Sequence, residues 1–428
     1  MRRMHSLAAS AVATLALMGT ALVVAPPATS ADGFDRSAVS AKESDRTPFA
    51  YKSATYGSRV KGGSIPASSG TTSYQAVGCT NAAGVDKTND VASVEIPGLG
   101  IAKGVATHNW TERKSGVYSS YSMHDIAKLV LAEDSFGELA IKGLSSYSRA
   151  YHDAGGFHAQ TKTEVASITY TPSGGDPQAL AIPTPGSPIV IPGVVSIGIG
   201  SEKRQVSGSM AKARADVLNV KLIPTDTTVR VAHTGAKLAR GVKRGLFAGF
   251  SAATQVSALD DLVKSGPQPQ MRMPCQGTMG KEKGKDIASV DLTPLAVVGA
   301  ASTRQLGKQR PGKANGYELA RVASVDLGGG QLVITGIQGK ANVVRTRDGI
   351  TADTDGTKFL TATVNGTEYS FPELDGLSIP GLVEIETGVV TKYKAGIEVV
   401  AVRLTLLDGS GAVIDLGHAM LLIADSQL

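Results

Sequence analysis

The strongest constraint on this chain is that its two cysteines sit in matching contexts. Around Cys79 it reads Cys-Thr-Asn-Ala-Ala-Gly-Val-Asp-Lys-Thr-Asn-Asp-Val-Ala-Ser-Val-Glu-Ile. Around Cys275 it reads Cys-Gln-Gly-Thr-Met-Gly-Lys-Glu-Lys-Gly-Lys-Asp-Ile-Ala-Ser-Val-Asp-Leu. Lys87 matches Lys283, Asp90 matches Asp286, and Ala92-Ser93-Val94 matches Ala288-Ser289-Val290; these pairs and the cysteines all lie 196 positions apart. Further on, Ile126–Leu129 faces Val322–Val325, and Gly137–Leu144 faces Gly330–Ile337 three residues out of step. Ile191-Pro192-Gly193 then faces Ile379-Pro380-Gly381, and Val220–Leu222 faces Val402–Leu404. Order is kept throughout, and the offset drifts only by loop-sized gaps. A period this long reads as two tandem domains, since solenoid repeats are far shorter.

The periodic segments are short and rich in Val, Ile, Thr, Ser and Gly, with 50 glycines and only 5% aromatics in the chain. Such segments favour strands and turns. Val399–Leu407 alternates, and Asp408-Gly409 turns it back toward Val413–Leu416, a hairpin signal. The expectation is an all-β protein of two homologous antiparallel domains, sandwich-like, joined by a helical linker. Residues 75–240 form the first repeat and 270–428 the second, with a flexible polar lead-in over 32–74. The linker spans 241–269. Its apolar residues Leu246, Phe250, Val256, Leu259, Leu262 and Val263 suggest a helix that Pro267 and Pro269 end.

The first residues run basic (Arg2, Arg3), then apolar from about Leu7 to Val24, then small after Pro26-Pro27. That order predicts a secretory signal peptide over 1–31. No other apolar run is long enough to cross a bilayer as a helix. The formal charge of +6 carries no concentrated basic block, so the sequence gives no nucleic-acid footprint. Export implies an oxidising setting, in which paired cysteines usually bond. A Cys79–Cys275 disulfide is expected, bracing the domains through corresponding edges. Two separate inherited thiols and pairing between chains are the alternatives.

Motifs that would carry chemistry are thin. Ser209-Met-Ala-Lys212 with His233-Thr-Gly235 has the letters of a penicillin-recognising site but lies in strand-like sequence. His152, Asp153 and His158 sit close together on a Gly-rich turn, without recurrent zinc spacing. Asp353-Thr-Asp355-Gly356 opens like a calcium loop but lacks the later acids. No catalytic, cofactor-binding or metal-binding residue is assigned, and no cofactor is expected. Trp110, the only tryptophan, with Tyr118, Tyr121, Tyr147 and Tyr151, is the candidate ligand surface, because an aromatic ring packs on a sugar face.

The second repeat resembles the secreted domain of the choice-of-anchor P proteins of high-GC Gram-positive bacteria. The resemblance rests on Met273-Pro274-Cys275-Gln-Gly277-Thr278, Lys285–Leu292, Leu377–Val383 and the closing strand Val399–Leu407. The first repeat looks like a diverged copy. The chain departs from the family in having no recognisable C-terminal anchor. Such a family implies a place outside the cell or on its surface and no defined enzymatic activity. The expected function is therefore a non-enzymatic secreted or surface-associated protein, structural or adhesive, with the cell wall or another surface protein as partner. A cell-wall glycan-binding module is the alternative, and an extracellular hydrolase the least favoured.

Overall fold

A computed structural model describes residues 45–62, 72–96, 100–133, 137–193, 195–223, 226–258, 263–292 and 296–427. The expected signal peptide lies outside these residues. The first half contains β1 (Arg46–Gly62), β2 (Gln75–Ala82), β3 (Asp86–Ile96), β4 (Gly100–Lys114), β5 (Val117–Glu133), β6 (Gly137–Asp153), β7 (Gly156–Glu164), β8 (Ser167–Thr171), β9 (Gln178–Leu180), β10 (Ile189–Ile191), β11 (Val195–Ile199), β12 (Glu202–Ser207), β13 (Met210–Leu222) and β14 (Thr227–Arg240). The second half contains β15 (Gly245–Ala258), β16 (Val263–Arg272), β17 (Lys283–Ile287), β18 (Val290–Leu292), β19 (Ala296–Val298), β20 (Ala301–Arg310), β21 (Lys313–Leu327), β22 (Leu332–Arg345), β23 (Ile350–Asp353), β24 (Thr361–Val364), β25 (Thr367–Tyr369), a single-turn helix α1 (Phe371–Leu374), β26 (Ser378–Ile379), β27 (Val383–Tyr393), β28 (Gly396–Leu406) and β29 (Val413–Asp425).

Each half is a two-sheet antiparallel sandwich. In the first, one sheet runs β10-β11-β13-β14-β1-β2 and the other β3-β4-β5-β6-β8-β9. In the second, the sheets run β26-β27-β28-β29-β15-β16 and β17-β20-β21-β22-β24-β25. Along these paths the strands of the two halves correspond in chain order, while β12 in the first half and β18 and β19 in the second have no counterpart. The first core joins Ile126, Leu129, Ile141 and Leu144 of one sheet to Ile197, Leu218, Val220 and Val231 of the other. The second joins Val322, Val325 and Ile334 to Val402, Leu404, Ile414 and Leu416. A fully buried aliphatic side chain contributes roughly 1.5–3 kcal/mol, so these clusters are the main favourable term. The closing hairpin forms as its alternation predicts, with Thr405 opposite Val413, and Gly409 supplies the positive φ of 85° in its turn.

Two expectations need correction. No helical linker is found among the described residues: 245–258 and 263–272 are β15 and β16, and Leu259 and Leu262 lie outside the described residues. Near its start β15 is covered on both faces. Leu246 is buried at the junction of the halves and Phe247 in the second core. A strand buried on both sides loses the period-2 pattern, and its apolar spacing then imitates a helix. Pro267 and Pro269 sit in β16, the edge strand of its sheet, where a missing N–H is tolerated. The lead-in is not structureless either. Residues 46–62 are β1, hydrogen-bonded between β14 and β2. Its polar look comes from Ser53, Thr55 and Ser58, which are buried inside the sandwich.

Candidate functional site

Sheet pleating decides where the candidate aromatics point, because successive residues alternate faces. On the outer face of the β3–β7 sheet, Asp86, Trp110, Tyr121, Arg149 and Gln160 stand in register across five strands. The Trp110 ring stacks on Tyr121 at 4.4 Å with 8° between the planes. It also stacks on His108 at 4.2 Å. The Arg149 guanidinium lies 5.1 Å from the centre of the Tyr121 ring and 4.1 Å from that of Tyr151. Tyr151 in turn stacks on His158 at 4.8 Å. Tyr147 leans on Tyr121 at 6.3 Å. Polar bonds tie the row down. Tyr121 Oη donates to Glu112 at 2.9 Å, and Arg149 Nε and Nη2 donate to Ser119 Oγ at 3.3 and 3.0 Å. Burial raises the Tyr121 and Tyr147 phenols above their ordinary pKa.

Four of the five candidates, Trp110, Tyr121, Tyr147 and Tyr151, therefore share one face. Tyr118 does not. Its ring packs inside the sandwich on Phe49 at 4.7 Å, beside Phe157 and Leu238. It lies an odd number of residues from Tyr121, which puts it on the opposite side of β5. The shared face is a ladder of rings stacked on one another. Near-parallel planes at 4.4 Å leave no room for a sugar ring between them, so a glycan would meet ring edges and the polar groups beside them.

The weaker motifs do not assemble. His152 packs inward on Phe157, whereas His158 packs outward on Tyr151 and bonds Asp153 Oδ1 at 3.0 Å. Asp353 Oδ1 accepts from Asn342 Nδ2 at 2.7 Å and from the Asp355 N–H at 3.0 Å, closing a turn. Ser209 lies between β12 and β13, and His233 Nδ1 meets Asp216 Oδ1 at 2.7 Å.

At the junction of the halves, Cys79 on edge strand β2 is bonded to Cys275, which follows edge strand β16; their Cα atoms are 5.4 Å apart. That separation lies within the range a disulfide requires. Ala50, Val242 and Leu246 pack around it, all buried. Ala50 and Leu246 are themselves 196 positions apart, as the cysteines are, so corresponding residues of the two halves meet here. Asn81 Nδ2 donates across to the Ser426 carbonyl at 2.9 Å. The connector is equally fixed. Gln309 Oε1 accepts the N–H groups of Lys243, Arg244 and Gly245 at 3.0, 3.1 and 3.0 Å.

Beside this junction is a cleft of about 280 Å³ that the sequence did not reveal. Its floor is the outer face of the sheet containing β1, β13 and β14, and one wall is Arg272–Cys275 of the second half. Its residues are scattered between positions 52 and 275, and only strand register brings them together. Comparison of the chain with protein-family models, with curated proteins and with solved structures returned no match.

Proposed function

We propose that the chain is a secreted, non-enzymatic protein of the cell surface, structural or adhesive in role, built from a duplicated β domain and acting as one rigid unit. The observation that carries this reading is the junction. A buried disulfide between corresponding edges, a hydrogen bond across the seam and a connector clamped by Gln309 suppress movement of one half against the other. Such bracing suits a protein that bears load or presents a fixed surface outside the cell, where disulfides persist. Among the described residues no helix is long and apolar enough to cross a membrane, and the resemblance to choice-of-anchor P proteins supports the same placement. The ladder of Trp110, Tyr121, Arg149 and Tyr151 favours a second reading, a cell-wall glycan as the partner. Fractionation of expressing cells, with a pull-down on purified peptidoglycan, tests both. Retention with the envelope is expected. Clean recovery in the medium with no wall binding would count against both. Retention abolished by Trp110→Ala in a folded variant would select the glycan reading.

A further inference from the structure

The outer face of the β1–β13–β14 sheet gathers positive charge in a way that strand pairing alone makes unfavourable. Lys52 on β1 stands directly opposite Lys237 on β14, and Lys237 stands directly opposite Lys212 on β13. Like charges placed opposite one another destabilise a sheet. Arg214, two residues along β13, faces Gly235, and Arg272 overhangs from the second half. All five side chains line the cleft, and among the described residues no carboxylate does. Asp216, two residues beyond Arg214 on β13, is already engaged by His233 at 2.7 Å and Ser201 at 3.1 Å. Between them the floor carries only the small residues Ala54 and Gly235. Lys237 is pushed down to about 8, first by burial and then by Lys52, Lys212, Lys283 and Arg214. Lys52 and Lys212 are lowered as well, first by enclosure in the surrounding protein and then by neighbouring arginines.

We propose that this cleft is a binding site for a phosphate-bearing ligand, its anionic oxygens seated among Lys52, Lys212, Arg214, Lys237 and Arg272. One carboxylate would offset a single charge of the five. A phosphate carries more charge and three or four acceptor oxygens, and arginine forks match it bidentately. The volume, about 280 Å³, is at the small end for ligand pockets. It suits a phosphate with a short polyol or one sugar attached. Two sources share that chemistry: a free phosphomonoester, or the terminal phosphoryl group of a polyphosphate chain. The cleft is open to solvent, and Lys203 on β12 extends the positive row opposite Arg214, which leaves a path for a chain.

The test uses the full chain with its disulfide intact, at low ionic strength. Inorganic phosphate, glycerol 3-phosphate and long-chain polyphosphate are titrated calorimetrically, each against sodium chloride of matched ionic strength. Phosphate is expected to bind and to raise Tm, whereas chloride does neither. Lys52→Gln with Lys237→Gln should weaken phosphate binding roughly tenfold or more, the scale of hydrogen bonds to charged groups. Because it relieves repulsion, that variant should melt no lower than the parent without ligand. Arg214→Gln, at an exposed position, repeats the test without touching the central lysine. Tighter binding per phosphate for polyphosphate identifies a polymer, and equal or weaker binding identifies a small ligand; either upholds the site. Heats and Tm indistinguishable from chloride, or variants that bind phosphate like the parent, would overturn it.

Discussion

Replacing both cysteines, Cys79→Ala with Cys275→Ala, is the sharpest perturbation of the proposed rigid unit. The bond closes a loop with a sequence separation of 196. Chain-entropy reasoning assigns such a loop about 5 kcal/mol at 25 °C, an upper figure because the halves still meet through other contacts. Neither sandwich depends on the bond for its own core, since the bonded cysteines pack with Ala50, Val242 and Leu246 at the junction. The loss should therefore appear as uncoupling. The single tryptophan, Trp110, lies in the first half and reports that half alone. Far-ultraviolet circular dichroism reports both halves. In the parent, denaturant transitions by the two probes should coincide. In the double variant they should separate, with the less stable half shifted down by up to about 5 kcal/mol. Coincident transitions with a midpoint within error of the parent would refute the brace.

Three further outcomes are expected. Gln309→Ala leaves three connector N–H groups without their acceptor and should cost on the order of 2 kcal/mol, with faster hydrogen exchange confined to 243–245. His124 is fully buried between the sheets and its imidazole is pushed down to about 4, first by burial and then by His233. The unfolded chain takes up this proton below its ordinary 6.5 while the folded chain resists, so stability in the first half should fall by roughly 3 kcal/mol as the pH drops through that window; denaturant melts of His124→Asn should lack this slope. Glu318 has the opposite sign: buried in the second half, with Ser251 donating at 2.8 Å, its carboxyl is raised well above the ordinary value, chiefly by burial. Stability there is fully present below the unfolded carboxyl range and is lost as the pH rises, so Glu318→Gln should stabilise neutral samples by on the order of 1 kcal/mol and flatten the profile.

Legibility along the chain followed local turn signals more than burial. Val399–Leu407, bounded by the Asp408-Gly409 turn signal, read correctly as a strand even though Val399–Val402 are buried in succession. β15, buried on both faces, read as a helix. β1 read as a loose lead-in because its inward side chains at 53, 55 and 58 are hydroxyls. The aromatic face was legible in composition and not in direction. Trp110, Tyr121, Tyr147 and Tyr151 fall on one side and Tyr118 on the other, which an uncertain strand register cannot decide.

The sequence alone determined that two similar stretches follow one another, that both are made of strands and turns, and that their cysteines hold corresponding places. Those properties are local or repeated, so they are written in spacing and residue type. Tertiary structure alone decided that the cysteines come within bonding distance, that the rings stack on one another, and that Lys52, Lys212, Arg214, Lys237 and Arg272 surround one cleft. Each of these depends on strand register and on how two sheets meet. Lys52 and Lys237, far apart in the chain, become neighbours because β1 pairs directly with β14, and β14 in turn brings Lys212 alongside.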